Sequence, residues 1–509
     1  MRAALLITLT FASTLLLGQE RSTDNIRYLR SSGAIQENQQ LVGYYSFYQY
    51  DKVDKKTNAY HLDIYDTNLN EVSSIKMNKP TTTSLLEMVY NGEAFAMLFL
   101  DYKEKEVEME TYDNKGQKLG SKSFKDSYKY EMLRLQQAGE GAEVNQSIYP
   151  LGQTGFVKQL MVKDKKFSYE LHGVGSDLGK KWMYAPKETG MIDVCNIVWA
   201  NEKYILCTTY QQKGVFDKPD HAYALLIDAE TGKKIFEKKM TETGHNLNIL
   251  NAYVDPDKNQ IMAIGEYYAS KDNVITDKSL GLYAMEMGLG GDILKIAKYD
   301  WTKDIQKYMP TKGDKQEEIG WIFFHRAVKA ADGSHYLIGE QFKKTVSGLG
   351  VADRMLGGSS SAFSLKVDNM VLVKLAPDLS LENMQVIEKS RSEILMPAGA
   401  AYWSPMLMAH YVRQRDGFDY AFTITDKEKD RFFASYVDYD RTKTEDGKKL
   451  GSYVGTIVYD KGNVTTDKLP FNSKAYSWSI LPAKPGFIAI REYYKKEKKM
   501  TFRLEKVNL

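Results

Sequence analysis

The sequence is poor in cysteine, in proline and in net charge, and each shortage excludes a class of protein. Its 509 residues include only two cysteines, so a disulfide-built scaffold is excluded and a buried core must carry the stability. The 12 prolines leave most of the chain free to form strands. The 69 basic and 66 acidic side chains nearly cancel, so no large field attracts nucleic acid or anionic lipid. We therefore expect no nucleic-acid partner.

The motifs of well-known catalytic and metal sites are also missing. The chain contains no G-x-S-x-G elbow, no phosphate-binding P-loop, no H-E-x-x-H helix and no paired C-x-x-C. The seven histidines are spread singly along the sequence, which gives no short spacing suited to zinc. We therefore expect no metal and no cofactor.

Only the N-terminus carries a long apolar run. Arg2 precedes an almost wholly apolar stretch at residues 3–17, which ends at Gly18 before the polar Gln19. This order is typical of a secretory signal peptide of residues 1–18. The alternative is a membrane anchor, but the run is shorter than the roughly 20 apolar residues that span a bilayer. We expect a protein that is periplasmic or secreted, without membrane insertion.

Strand-forming residues and turns are abundant and follow a repeated order. An alternating strand, a turn bearing Asp or Gly and a second strand recur at residues 60–77, 107–124, 223–240, 282–299, 370–387 and 453–471. A second hairpin precedes each copy, and the clearest example turns at Asn91-Gly92. Two hairpins in sequence make one four-stranded antiparallel unit. Such units fall at residues 26–78, 83–125, 145–187, 191–241, 246–302, 317–390, 400–470 and 474–509.

Radial repetition of four-stranded sheets is the architecture of a β-propeller. We therefore predict an all-β protein with a single β-propeller over residues 19–509, built of seven or eight four-stranded antiparallel blades. The last unit shows only three strands. A strand near residues 26–30 should complete it and close the ring. Since the C-terminal strand is needed for closure, we expect no appended anchoring domain, which favours the periplasm over secretion.

Two segments depart from the repeat. Trp301, Ile305 and Tyr308 have helical spacing and Pro310 follows them, which predicts one short helix between blades. Residues 343–365 are rich in Gly and Ser and predict a mobile loop, either functional or only disordered.

The candidate site residues come from the sixth and seventh units. Each unit places a Trp, a His and an Arg on a predicted first strand, and the first strands of a propeller line its central channel. The six residues are Trp321, His325, Arg326, Trp403, His410 and Arg413. In a channel, histidine can serve as acid, base or ligand, and arginine can hold a carboxylate. The structural alternative is a histidine that caps a backbone group and a tryptophan in the core.

Cys195 and Cys207 lie on the two strands of one predicted hairpin whose turn is centred on Asn201. This register places the two cysteines opposite each other, so an oxidising compartment would allow a cross-strand disulfide. Two buried free thiols are the alternative.

The segment at residues 43–69 reads GYYSFYQYDKVDKKTNAYHLDIYDTNL. It resembles the start of an uncharacterised family of secreted, propeller-like proteins of Bacteroidota. The resemblance implies a periplasmic or extracellular location in a Gram-negative bacterium, and it brings no catalytic residues.

We expect a monomeric binding or scaffolding protein whose propeller face engages a peptide, a protein or a glycan, rather than an enzyme. The reason is that a large repeat-built fold carries no recognisable catalytic set. The alternative is a carbohydrate-active hydrolase or lyase with carboxylates at the channel mouth, because glycoside hydrolysis needs two carboxyl groups about 5–9.5 Å apart. A structural component of the cell envelope is a third possibility.

Overall fold

The structure is a computed structural model of the chain. It describes residues 19–37, 40–124, 127–138, 146–214, 217, 221–255, 258–346, 360–397, 400, 403–413, 415–440 and 451–507. The predicted signal peptide at residues 1–18 lies outside the described residues. None of the helices in the described ranges has the length and apolar character needed to cross a bilayer.

The strands form eight antiparallel blades, which decides between the seven and eight predicted from sequence. Blade one contains β2 (Tyr28–Glu37), β3 (Gln40–Lys52), β4 (Thr57–Tyr65) and β5 (Glu71–Pro80), and blade two contains β6 (Thr83–Tyr90), β7 (Ala94–Asp101), β8 (Glu106–Asp113) and β9 (Lys118–Ser123). Blade three contains β10 (Ile148–Pro150), β11 (Phe156–Lys163), β12 (Phe167–Val174) and β13 (Lys180–Tyr184). Blade four contains β14 (Ile192–Ala200), β15 (Tyr204–Gln212), β16 (Ala222–Asp228) and β17 (Lys234–Lys239).

Blades five to eight follow the same plan, with two additions. Blade five gains a short strand beside β19, and blade six gains a strand that pairs with β27. Blade five contains β18 (Thr241–Glu242), β19 (His245–Asp255), β20 (Gln260–Ala269), β21 (Gly281–Gly288) and β22 (Ile293–Asp300). Blade six contains β25 (Trp321–Lys329), β26 (His335–Val346), β27 (Ser360–Leu375), β28 (Leu381–Ile387) and β29 (Ser392–Pro397). Blade seven contains β30 (Tyr420–Asp426), β31 (Arg431–Asp440), β32 (Gly451–Asp460) and β33 (Asn463–Phe471), and blade eight contains β34 (Ser477–Pro482), β35 (Phe487–Tyr494), β36 (Lys499–Lys506) and β1 (Glu20–Thr23). A small ribbon of β23 (Thr311–Lys312) and β24 (Lys315–Gln316) joins blades five and six.

Apolar clusters between neighbouring blades hold the ring together. Each pair of adjacent blades, including the eighth with the first, shares one cluster of buried side chains. A middle strand such as β7 is therefore covered on both faces, and all of its residues from Ala94 to Leu100 are buried. An outer strand such as β5 alternates between exposed and buried residues. This packing explains the repeated pattern of apolar and polar residues in the predicted strands.

An N-terminal strand closes the ring, as predicted, but it is not the predicted segment. β1 pairs with β36, with Glu20 opposite Arg503 and Thr23 opposite Met500. Residues 28–30 of the predicted strand belong instead to β2 of the first blade. Asn25 has a φ of +61°, and this left-handed turn separates the closing strand from β2.

The predicted loop at residues 343–365 is shorter than expected. Its first residues continue β26 and its last ones belong to β27, with Lys343 opposite Lys366 and Val346 opposite Phe363. β29 pairs with the other edge of β27, so backbone hydrogen bonds on both sides outweigh the Gly- and Ser-rich composition. Residues 347–359 lie outside the described part of the chain.

The described chain contains three helical segments between its strands, and in addition one short helical turn at Lys427–Lys429. The predicted helix at residues 301–308 is confirmed as two short turns, Trp301–Ile305 and Gln306–Tyr308. α1 (Tyr128–Ala138) lies between blades two and three and was not predicted.

α2 (Pro405–Arg413) contradicts the predicted first strand of unit seven. Ser404 caps this helix, because its side chain accepts the backbone N–H of Leu407 at 3.2 Å, and Pro405 occupies the first turn. The buried face consists of Met408, Ala409 and Val412, which is a helical spacing. The true first strand of blade seven is β30.

Candidate binding site in the central channel

The innermost strands of the blades surround a central cavity of about 1480 Å³, which we call the channel cavity. Its wall is formed largely by β14, β19 and β25, by the first two turns of α1 and by α2. Because these five elements come from different regions of the chain, the cavity exists only in the closed ring.

A β-bulge interrupts the innermost strand in six of the eight blades. In each case one extra residue lies between two consecutive pairs with the second strand. The extra residues are Arg30, Leu86, Val198, Leu250, His325 and Ala421. A bulge bends a strand and changes the direction of its side chains. The bulge therefore gives each of these six blades a position at which the side chains of the innermost strand can be redirected without loss of the blade.

Neutral polar side chains make up much of one wall. Asn196 on β14, Gln212 on β15 and Asn251 on β19 line the cavity, and Trp199 lies beside them. The side-chain amides of these three residues make no hydrogen bond to any described residue. Their donors and acceptors are therefore free for a ligand or for water.

Two buried carboxylates of the wall are already neutralised by ion pairs. Glu131 on α1 lies 2.8 Å from the ammonium of Lys158 and also contacts Arg134. Burial would raise the pKa of Glu131, but these two cations hold it below its ordinary value. Asp255 lies 2.6 Å from Lys329. Both carboxylates are fixed as ionised partners, which is a poor arrangement for a general acid.

Four of the six predicted site residues do line the channel cavity, and two do not. His325 and Arg326 reach it from β25, whereas His410 and Arg413 reach it from α2 rather than from a strand. The two tryptophans pack in the apolar cluster beneath α2, Trp321 against Phe342 at 5.7 Å and Trp403 against Tyr411 at 5.4 Å between ring centroids.

His325 belongs to a buried polar network between blades six and seven. Its Nε2 donates to the carboxylate of Glu340 at 3.0 Å, and its ring stacks on Tyr420 at 4.4 Å. Glu340 also accepts the backbone N–H groups of Asp419 at 3.1 Å and Tyr420 at 2.9 Å. The ammonium of Lys389 lies 3.3 Å from Glu340 and binds Asp419 as well. Every charge in this network has a partner. Because the partners come from both blades, the network joins blade six to blade seven.

The pKa shifts of this network follow from its burial and its pairing. Burial would raise the pKa of Glu340, but the hydrogen bond from His325 and the charge of Lys389 hold it below its ordinary value. Burial lowers the pKa of His325 in spite of the opposing effect of Glu340. Burial raises the pKa of Asp419, which Lys389 opposes. His325 is therefore a neutral imidazole that donates from Nε2.

His410, Arg326 and Arg413 also line the cavity but do not belong to this network. His410 has exposed surface there, and its enclosed surroundings, together with Arg413, lower its pKa to about 4. Arg413 lies over the ring of Phe323 at 6.0 Å. Neither Arg326 nor Arg413 forms an ion pair or a side-chain hydrogen bond within the described ranges.

Sequence reasoning missed Glu340, Lys389 and Asp419. These residues lie on different hairpins, and Asp419 is 79 positions after Glu340, so no local spacing brings them together. The one usable signal is Glu340 itself, an acidic residue within the apolar strand HYLIGEQF. A charge at such a position indicates a buried partner.

The predicted pairing of the two cysteines is wrong in register. Cys195 lies opposite Thr209 and Cys207 lies opposite Ile197, because the turn is centred between Glu202 and Lys203 rather than on Asn201. The extra residue Val198 in β14 offsets one position of this shift. Both cysteines are buried free thiols. Burial raises the pKa of Cys195, and the adjacent Cys207 thiol raises it further. Among the residues that the structure describes, no three His, Cys, Asp or Glu side chains are grouped to hold a metal ion.

Comparison with solved structures finds distant likenesses. A protein of unknown function from Bacteroides caccae is 11% identical and has a TM-score of 0.25, over 66% of this chain and 84% of that one. A europium-containing methanol dehydrogenase is 10% identical with a TM-score of 0.38, over 94% of this chain and 85% of that one. TolB from Acinetobacter baumannii is 9% identical with a TM-score of 0.23, over 84% and 80% of the two chains. These values are too low to support an argument about function.

A search of curated proteins finds no match. The model of one family matches residues 1–508, which is nearly the whole chain. This match confirms one part of the resemblance noted in the sequence, namely that the chain belongs to a family without a known function. The chain belongs to the family of unknown function DUF6770.

Proposed function

We propose that this protein is an exported binding protein that holds an oligosaccharide in the channel cavity. The observation that carries the proposal is the wall of free amides on β14, β15 and β19. Amide groups both donate and accept hydrogen bonds, as the hydroxyl groups of sugars require. Trp199 beside them offers an aromatic face on which a sugar ring can stack.

The size of the cavity supports a ligand of several units. Pockets for small molecules occupy about 300–1,000 Å³, whereas the channel cavity has about 1480 Å³. A chain of sugars would fill such a space better than a single metabolite. A peptide would fill it as well, but the free amides and the aromatic face favour the glycan.

The ion pairs of the wall favour binding over hydrolysis. A glycosidase needs one carboxylic acid that keeps its proton and one carboxylate that acts as base or nucleophile. Glu131 and Asp255 are each held by a cation instead. This arrangement supports a binding protein more than the alternative of a carbohydrate-active hydrolase or lyase.

Titration calorimetry of the chain from Gln19 with cell-wall and plant oligosaccharides tests the proposal. We expect binding that Trp199→Ala and Asn251→Ala both weaken about tenfold, the effect of losing one good contact. Tyr476→Ala is the control, because Tyr476 is 69% exposed and does not line the cavity. Binding of peptides but of no glycan would contradict the proposed ligand. Shortened oligosaccharides in mass spectra after incubation would show an enzyme instead.

Export to the periplasm of a Gram-negative bacterium, as the family resemblance implies for Bacteroidota, is part of the same proposal. The apolar run at residues 3–17 supports it. Cell fractionation followed by immunoblotting tests it. We expect the protein in the periplasmic fraction with residues 1–18 removed. Recovery only from the cytoplasm would contradict export, and recovery only from the medium would contradict the periplasmic location.

A further inference from the structure

We propose that Arg326 and Arg413 form a subsite for an anionic oxygen group, so that the ligand of the channel cavity is an acidic oligosaccharide. This inference rests on the proposed function and adds the chemical class of the ligand. The group is the carboxylate of a uronic acid or the sulfate ester of a sulfated sugar, since both present oxygens to a guanidinium in the same way.

Arg326 and Arg413 differ from three other cations of the channel wall, which are paired with carboxylates of the protein. Lys329 is paired with Asp255 at 2.6 Å, Arg431 with Asp460 at 2.8 Å, and Arg134 with Glu87 at 3.2 Å. All three line the cavity, and all three have a carboxylate of the protein. Arg326 and Arg413 also line it, yet no carboxylate of the described residues pairs with either.

The two carboxylates of the neighbouring buried network, Glu340 and Asp419, are already occupied by other partners. Glu340 accepts hydrogen bonds from His325 and from two backbone N–H groups, and it contacts Lys389. Asp419 binds Lys389 and accepts the hydroxyl of Ser392 at 2.9 Å. Both carboxylates are buried behind the wall. Among the described residues, neither carboxylate is therefore paired with the two guanidinium groups, which leaves both available to an anion in the cavity.

Aromatic side chains and a neutral histidine surround Arg413 in the cavity. Phe323 lies under Arg413, and its ring is also 6.3 Å from that of His410. Apolar and aromatic surfaces exclude water and strengthen an ion pair formed against them. His410 is a neutral imidazole with exposed surface in the cavity, so it can donate one hydrogen bond without adding a charge. Two guanidinium forks and one neutral donor suit an anionic group with two or three oxygens.

The elements that hold the two arginines come from different parts of the fold. Arg326 follows the bulge residue His325 on β25. Arg413 ends α2, which is tied to blade five because Asn248 donates to the sulfur of Met406 at 3.4 Å. The subsite is thus an addition to the blade repeat, which is expected of a feature that serves recognition rather than folding.

Calorimetry with three matched ligands tests the subsite in the chain from Gln19. The ligands are a trigalacturonate, its fully methyl-esterified form, and a sulfated galactan oligomer. We expect at least one of the two anionic ligands to bind about tenfold or more tightly than the ester, since hydrogen bonds to charged groups are worth this much. Preference for the uronate or for the sulfated ligand identifies the source of the charge. The advantage should shrink as salt is raised.

Arg326→Gln and Arg413→Gln should each weaken binding of the anionic ligands and remove most of their advantage over the ester. Arg30→Gln is the matched control, because Arg30 is an exposed arginine at the equivalent bulge of blade one and does not line the cavity. Equal binding of the anionic ligands and the ester, or an equal loss in Arg30→Gln, would overturn the subsite. Binding of the ester with no anionic advantage would still leave the proposed function standing. Failure of all three ligands, with neutral glycans also inactive, would overturn the proposed function itself.

Discussion

His335 is buried between blades five and six and should remain neutral well below the pH at which a histidine ordinarily takes a proton. It is 3% exposed, and its Nδ1 lies 3.1 Å from the hydroxyl of Tyr253. Burial lowers its pKa from 6.5 to about 4. The charged groups that act on it are the cations Lys329 and Lys258, which lower the pKa, and the carboxylates Glu286 and Asp255, which raise it.

Glu266 presents the opposite case in blade five. It is 7% exposed, and the hydroxyl of Tyr268 donates to it at 2.7 Å. Burial raises its pKa from 4.5 to about 7, although Tyr268 and Ser279 oppose the shift. The described neighbours that affect its pKa include no charged group. The carboxyl group is therefore largely protonated at pH 6 in the folded protein and ionised in the unfolded one.

The two groups have opposite effects on the free energy of unfolding. Between pH 4 and 6.5 the unfolded chain protonates His335 and the folded protein does not, so stability increases with pH. Between pH 4.5 and 7 the folded protein holds the proton of Glu266 and the unfolded chain does not, so stability decreases with pH. From pH 5 to pH 7 each contribution amounts to about 2 kcal/mol, and the two nearly cancel.

Single variants should reveal each contribution. The difference in free energy of unfolding between His335→Asn and the wild type should be about 2 kcal/mol more favourable to the variant at pH 5 than at pH 7. The same difference for Glu266→Gln should be about 2 kcal/mol more favourable to the variant at pH 7 than at pH 5. Denaturant unfolding at pH 5, 6 and 7 measures these differences, with the slope m checked for constancy. The double variant should return to the pH dependence of the wild type, because the two sites have no shared partner. Profiles of either single variant that run parallel to the wild type would refute the reasoning.

Three further predictions concern the scaffold. Removing residues 19–24 should lower the melting temperature by a few degrees in calorimetry, since it removes β1, and an unchanged value would contradict closure by this strand. Lys158→Ala should cost up to about 3–5 kcal/mol in denaturant unfolding, because it removes one of the two cations paired with the buried Glu131 and leaves only Arg134; the double variant with Glu131→Gln should recover part of this, and no recovery would contradict the pairing. Cys195 and Cys207 should resist a thiol reagent in the folded protein and both react once it is unfolded, whereas unreactive cysteines in denaturant would reveal a disulfide.

The blade repeat was predictable because its signals are local. Alternation of apolar and polar residues over a few positions, followed by a turn such as Asn91-Gly92, is visible in any window of the sequence. The incomplete last unit also predicted that the N-terminus closes the ring. The closing segment was placed too late, because residues 26–30 look like a strand and the short ERST of β1 does not.

The candidate site was predicted only in part, because its geometry depends on distant parts of the chain. The apolar run at residues 406–412 suits a strand and a helix equally well, and such runs cannot be assigned by periodicity. The Ser404-Pro405 pair was the available sign of a helix start. His410 and Arg413 reach the cavity in spite of the wrong assignment. Trp403 was placed on the same predicted strand, but it does not line the cavity.

The position of α2 decides whether Arg413 can take part in binding, and this dependence can be measured. Met408 lies on the buried face of α2 and is fully buried, and Met109 is fully buried in blade two. Met408→Ala and Met109→Ala should each cost about 2–5 kcal/mol of stability, since each leaves a cavity of similar size.

Only Met408→Ala should also reduce the preference for the anionic ligand over the methyl ester, because a loosened α2 no longer holds Arg413 against the cavity. Binding of the ester should be unchanged in both variants, provided the measurements are made well below their melting temperatures. A loss of the preference in both variants would indicate that the whole ring, rather than the helix, positions the arginine. Retention of the preference in both would show that Arg413 needs no support from the packing of α2, and the link argued here between helix and subsite would be wrong.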